Sequence, residues 1–157
     1  MRLRLPLFAA ALWWGSLSVI GFLVVPLLFA KLPTPAMAGT LAAGLFSAQT
    51  WVSVVCGMLL LVSARGGPTQ DPPPWARRVT ALVVAGLLMA LLSEFAVAPR
   101  IVARENLKLW HSVGSGLYLL QWFCAGFVIA GLTRNPPYLG QDPDRRGVDP
   151  GSGPPRT

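Results

Sequence analysis

The chain has one histidine, two cysteines and six acidic residues among 157, and charged residues make up only 12% of it. Each shortage excludes something. A single histidine cannot give bis-histidine haem within one copy of the chain, and the methionines, Met1, Met37, Met58 and Met89, do not cluster. Cys56 and Cys124 stand outside any CxxC or metal spacing, in apolar stretches where a thiol behaves as a small buried hydrophobe. No nucleophile motif, Gly-rich phosphate loop or zinc spacing is found. With one histidine and one acid inside the apolar runs, a Ser-His-Asp arrangement is disfavoured too.

What is abundant is uninterrupted apolar length. Leu5 to Ala30 carries no charge over 26 residues, Leu32 to Ala64 is also charge-free, and Leu109 to Thr133 holds only His111 as a titratable group over 25. Val79 to Pro99 spans 21 residues with Glu94 as its one charge. A bilayer is crossed by about 20 apolar residues. The runs show no apolar-polar alternation, so they read as helices rather than barrel strands. The fold class is therefore all-α: a four-helix transmembrane bundle of two antiparallel hairpins, with helices at about 5–29, 36–63, 77–98 and 109–133. Residues 1–134 make one domain. The stretch 135–157, rich in proline, glycine and charge, cannot bury a core and reads as a disordered tail.

The net charge of +7 is topological. Nine of the 13 basic residues (Arg2, Arg4, Arg65, Arg77, Arg78, Arg134, Arg145, Arg146 and Arg156) flank one side, and Lys31, Arg100, Arg104 and Lys108 flank the other. Basic residues near helix ends are retained in the cytoplasm, so both termini are expected inside, in an inner membrane. No basic stripe is interleaved with aromatics, so nucleic acid is not a partner. The partner classes are the lipid bilayer and, beside it, a second copy of the chain or another membrane protein. Arg2 and Arg4 with Ala36, Met37 and Ala38 mimic a signal peptide, but the first run exceeds the h-region length of about 7 to 15 residues. It reads as a retained span.

Local features refine the elements. Pro26 is expected to kink or end the first helix, and Pro33 and Pro35 to force a tight turn before the second. In the second helix Gly39, Ala43, Phe46, Thr50, Ser53 and Gly57 recur at three- and four-residue spacing, the pattern of a close-packing seam in lipid. No internal repeat is evident.

Glu94 is the candidate for function, since an acid within a membrane span marks a site by default. Gly86 and Ala90 precede it at four-residue spacing, which turns its face inward. His111, Ser115 and Tyr118 share an arc of the fourth helix, and His111 opens that helix on the side where the third ends. A ligand site of Glu94, Arg100, His111, Ser115 and Tyr118 on the outer side follows, with a Glu94–His111 hydrogen bond as one arrangement. The same pair serves equally as a structural tie. Gln49 and Gln121 lie at similar depth and are expected to make helix–helix polar contacts. The function expected is a non-enzymatic binding or structural bundle without cofactor. The alternative is a haem- or copper-handling protein using His111.

The segments Gly21–Phe46, Ser93–Ile101 and Trp110–Trp122 resemble the bacterial DUF4149 family, also described as the transmembrane-protein-205-like domain, over about Leu5 to Leu132. Pro26, Leu28, Phe29, Ala38, Gly39, Pro99 and His111 carry the likeness. The resemblance implies a four-helix integral membrane domain of unassigned function, distantly similar in architecture to copper-resistance D-type and protoporphyrinogen-oxidase-like membrane proteins. Of the metal or haem ligands in those proteins, only His111 has a counterpart here.

Overall fold

The computed structural model describes residues 5–65, 74–103 and 105–134, and the regular structure among them is entirely helical. Helix α1 is Leu5–Lys31, α2 is Pro35–Ala64, α3 covers residues 74–102 and α4 is Leu107–Arg134. All four are long and apolar enough to cross a membrane, and the chain is a multi-pass membrane protein. The expected tail at 135–157 and most of the connection after Arg65 lie outside the described residues, as do Arg2, Arg4 and Arg104.

Proline shapes two of the helices in the same way. Pro26 and Pro99 have no N–H and crowd the carbonyl four residues back, so a regular turn cannot run through either. In both places the preceding turn widens. Val25 N–H bonds to Ile20 O, and Ala98 N–H to Ser93 O, five residues back instead of four. The chain thus passes through π-helical turns at Ile20–Val24 and Ser93–Val97 and resumes as α-helix. Pro26 does not end α1, which continues to Lys31. Leu32, before Pro33, is extended, and Thr34 then caps α2 by accepting from Met37 N–H at 3.3 Å, with Pro35 in the first turn.

Each helix packs against two neighbours: α1 and α3 both touch α2 and α4. In lipid no hydrophobic gradient draws helices together, so fit between surfaces and interhelical hydrogen bonds must do so. Burial is concentrated in one half of the bundle. Ala10, Trp13 and Leu17 meet Cys56 and Leu60, Val79 and Val83, and Ala125, Val128 and Leu132. These come from the first halves of α1 and α3 and the second halves of α2 and α4. Trp13 is fully buried, and it fits because Gly86 faces it: a Cβ there would sit 2.7 Å from the indole Cη2. The outward faces carry Phe8, Leu12, Trp51, Val62, Phe95 and Phe127, all largely exposed, as lipid-facing side chains should be.

A hidden correspondence links the two halves of the chain. Pro6, Ala10 and Leu17 are buried at the same intervals as Val79, Val83 and Ala90. Gln49, Ser53, Cys56 and Leu60 are matched likewise by Gln121, Ala125, Val128 and Leu132. The sequence conceals this repeat because matched positions differ in size and polarity, Leu17 against Ala90 and Ser53 against Ala125. What recurs is which positions face inward, and where the wide turns fall.

Gly86→Ala is expected to destabilise the protein by about 1–3 kcal/mol, the usual cost of forcing extra volume against a rigid core side chain. Gly44, whose Cβ would meet nothing within 4 Å, is expected to accept alanine without loss. Thermal unfolding in mild detergent measures both; a Gly86→Ala protein as stable as wild type would contradict this packing.

Candidate functional site

Beyond the packed half lies a layer of hydrogen bonds. The Ser53 hydroxyl donates to Gln49 O at 2.9 Å and accepts from Gln121 Nε2 at 2.8 Å and from Gln49 Nε2 at 3.4 Å. One hydrogen and two lone pairs are a hydroxyl's full capacity, and all three are used. Gln49 Nε2 also donates to Ser16 Oγ at 3.0 Å, while Ser16 donates to Trp13 O. Gln49 and Gln121 therefore meet through Ser53 rather than directly. On the α1–α4 side, Tyr118 Oη donates to Leu17 O at 2.7 Å and Trp122 Nε1 to Ser18 Oγ at 2.8 Å. Gly21 makes room for the Tyr118 ring, since a Cβ there would lie 2.5 Å from Cε1.

Past this layer the helices do not close. A cavity of about 300 Å³ lies between them, walled by α2, α3 and α4 with Val25 and Phe29 of α1. Small residues leave the space: Gly39, Ala42 and Ala43 on α2, Gly114 and Ser115 on α4. The stripe expected to be one packing seam is thus divided. Its inner part packs, with Gly57 against Leu87, whereas a Cβ on Gly39 would touch nothing. Gly39, Ala43, Phe46 and Thr50 are cavity wall. Phe46 and Tyr118 meet edge to face there, 5.2 Å between centroids.

The wide turn in α3 gives the cavity its polar wall. At about 3.6 residues per turn, residues four apart drift around a helix; the extra residue in Ser93–Val97 offsets that drift. Ser93, Val97 and Ile101 and, beside them, Glu94, Ala98 and Val102 consequently all line the cavity. Glu94 is half-buried, and its Oε1 accepts from Ser47 Oγ of α2 at 2.7 Å. His111, the partner expected from the sequence, is an exposed residue lining the same cavity.

Six of the seven polar residues singled out in the sequence line the cavity: Glu94, His111, Ser115, Tyr118, Gln49 and Gln121. Arg100 does not. Its Nη1 donates to Ala96 O at 2.8 Å and its guanidinium stacks over Trp110, 4.4 Å from the ring centroid. Exposed Arg100 follows the outer surface of α3, next to Phe95, Pro99 and Glu105. Ser47 and Ser93 were not indicated by the sequence, because an isolated serine in an apolar helix signals nothing until its neighbour is known.

Among the buried side-chain atoms of the described residues, four have no hydrogen-bond partner: Trp13 Nε1, Trp14 Nε1, Gln49 Oε1 and Ser93 Oγ. The last two belong to residues of the cavity wall. For Gln49 the reason can be traced. Ser16 and Ser53 have each spent their hydrogen on a backbone carbonyl, so each can only accept, and the amide must turn its nitrogen to them. Its oxygen is left over, on a residue only 3% exposed. A buried polar atom without a partner costs roughly 1–3 kcal/mol. Among the described residues no group of three or more His, Cys, Asp or Glu comes together.

The chain belongs to the DUF4149 family, a domain of unknown function, matched over residues 8–108. The match takes in the Gly21–Phe46 and Ser93–Ile101 segments and stops before Trp110–Trp122. No curated protein and no solved structure matches the chain.

Ser53→Ala is expected to lower stability by about 1–3 kcal/mol, because it strands donors on both glutamines. The exposed Ser63, which bonds only to Leu59 O of its own helix, serves as the control. Ser63→Ala should stay within about 0.5 kcal/mol of wild type. Equal effects of the two in thermal unfolding would show that the layer does not hold the helices.

Proposed function

We propose that this DUF4149 protein is a non-enzymatic inner-membrane binding protein whose four helices form two antiparallel hairpins with both termini cytoplasmic. Its ligand enters the cavity between α2, α3 and α4 from the outer side. The observation that carries this reading is Gln49 Oε1, an oxygen buried without a donor in the wall of a cavity that Glu94 also lines. Buried polar groups are nearly always satisfied, so an unpartnered one calls for an explanation, and on a cavity-wall residue a ligand can supply the missing partner. The volume supports the reading as well, since small-molecule sites begin at about 300 Å³ and are mostly apolar with a few placed polar groups.

Sidedness rests on charge. The cavity lies at the end of the helices flanked by Lys31, Arg100 and Lys108, the side with fewer basic residues. The retention of Lys and Arg in the cytoplasm makes that the outer side. His111 and Ser115, both exposed, would then meet a ligand first, with Glu94 and Gln49 deeper.

A cysteine at Ser115, with Cys56 and Cys124 replaced by alanine, is expected to react with a membrane-impermeant maleimide added to spheroplasts. A cysteine at Gln70 should react only after lysis. The reverse pattern would overturn the orientation, and an unreactive Ser115→Cys would overturn entry from the outer side.

A further inference from the structure

The hydrogen bonds around the cavity assign its ligand a chemical class, because the wall has spent most of its hydrogens on the protein. Tyr118 Oη donates to Leu17 O, and Thr50 Oγ1 donates to Phe46 O. Gln49 gives its amide hydrogens to Ser16 and Ser53, and Gln121 gives one to Ser53. Ser47, behind the wall, gives its hydrogen to Glu94. The wall residues are therefore left with the Glu94 carboxylate, the unpartnered Gln49 Oε1 and hydroxyl lone pairs. Donors left in the wall are the hydroxyls of Ser93 and Ser115, the His111 ring and the second amide hydrogen of Gln121.

An acceptor wall with a carboxylate selects against anions and rewards N–H donors on a positive centre. Charge-assisted hydrogen bonds are roughly twice as strong as neutral ones. The cation nearest in sequence, Arg100, is committed to Ala96 O and Trp110 on the other surface of α3. The rest of the wall is apolar and aromatic: Val25, Phe29, Phe46, Val97 and Ile101. Aromatic side chains accept ammonium groups at their faces and offer large apolar area to a hydrocarbon body.

We infer that the cavity binds a lipophilic organic ammonium ion, with its cationic nitrogen at Glu94, an N–H directed to Gln49 Oε1, and its hydrocarbon body against Phe29, Phe46 and Val97. This rests on the binding function proposed above and adds the ligand's charge and donor pattern. Primary and secondary amines meet it; a quaternary ammonium supplies the charge without the donors.

Three probes with one carbon skeleton test it: 4-phenylbutylamine, 4-phenylbutanol and 4-phenylbutanoate, titrated calorimetrically into the full chain in mild non-ionic detergent. The amine is expected to bind at least tenfold more tightly than the alcohol, and the carboxylate most weakly. Glu94→Gln keeps an acceptor for Ser47 and should remove the preference for the amine while leaving the alcohol's affinity unchanged. Gly39→Phe, placed on the cavity wall where a Cβ would meet no atom within 4 Å, should abolish binding of all three. If the alcohol or the carboxylate equals the amine in the wild-type protein, or if Glu94→Gln retains the amine preference, the ammonium assignment is overturned and the binding site stands. If none of the three binds saturably, or Gly39→Phe changes nothing, the binding function itself fails, and the ammonium assignment with it.

Discussion

The Ser53 hydroxyl, with its three hydrogen bonds, is the constraint on which the arrangement depends. It joins α2 to α4 through Gln121, fixes which way the Gln49 amide faces, and with Ser16 draws α1 into the same layer. On one side of that layer, close fit takes over, with Trp13 seated against Gly86. On the other side the cavity-lining residues of α2 beyond Phe46 are no larger than alanine, and the helices enclose space. Interhelical hydrogen bonds in a membrane bundle average only about 0.6 kcal/mol. The layer therefore acts more by direction than by strength: it decides where polar atoms point, and it leaves Gln49 Oε1 over.

Wide turns are the second device. A proline inside a span frees a carbonyl that lipid cannot satisfy, so the backbone must rearrange near it. Here both rearrangements precede the proline by the same interval, in α1 and in α3, and each serves the α4 surface differently. In α1 the turn begins just beyond Leu17, whose carbonyl receives the Tyr118 hydroxyl. In α3 it holds Ser93 and Glu94 in the cavity wall. π-helical turns recur at functional sites, and the placement of Glu94 inside one accords with that tendency.

The helices were legible in the sequence because their signal is sheer apolar length, which needs no partner to interpret. Pro26, Pro33 and Pro35 were legible as local effects, although proline alone does not say whether a helix ends or widens. Glu94, His111, Ser115 and Tyr118 could be grouped from spacing and depth. Arg100 could not be excluded that way, since its side chain is long enough to turn to either surface, and Trp110 decides the matter. The division of the α2 stripe into seam and cavity was hidden for a similar reason. Gly39 and Gly57 look alike in sequence, and only the opposing Leu87 makes one of them a contact. The fate of the Gln49 oxygen was least legible, because it follows from hydrogens spent by Ser16 and Ser53 on two different helices.

The central claim is that the half of the bundle beyond the hydrogen-bond layer is open and that Gln49 Oε1 takes its donor there from outside the chain. A high-resolution density map of the protein in lipid nanodiscs, prepared with 4-phenylbutylamine, tests this most directly. The account predicts ligand density between α2, α3 and α4 within hydrogen-bond distance of Gln49 Oε1 and Glu94. Closure of α2 against α4, with the Gln49 oxygen bonded to a donor of the protein itself, would contradict it.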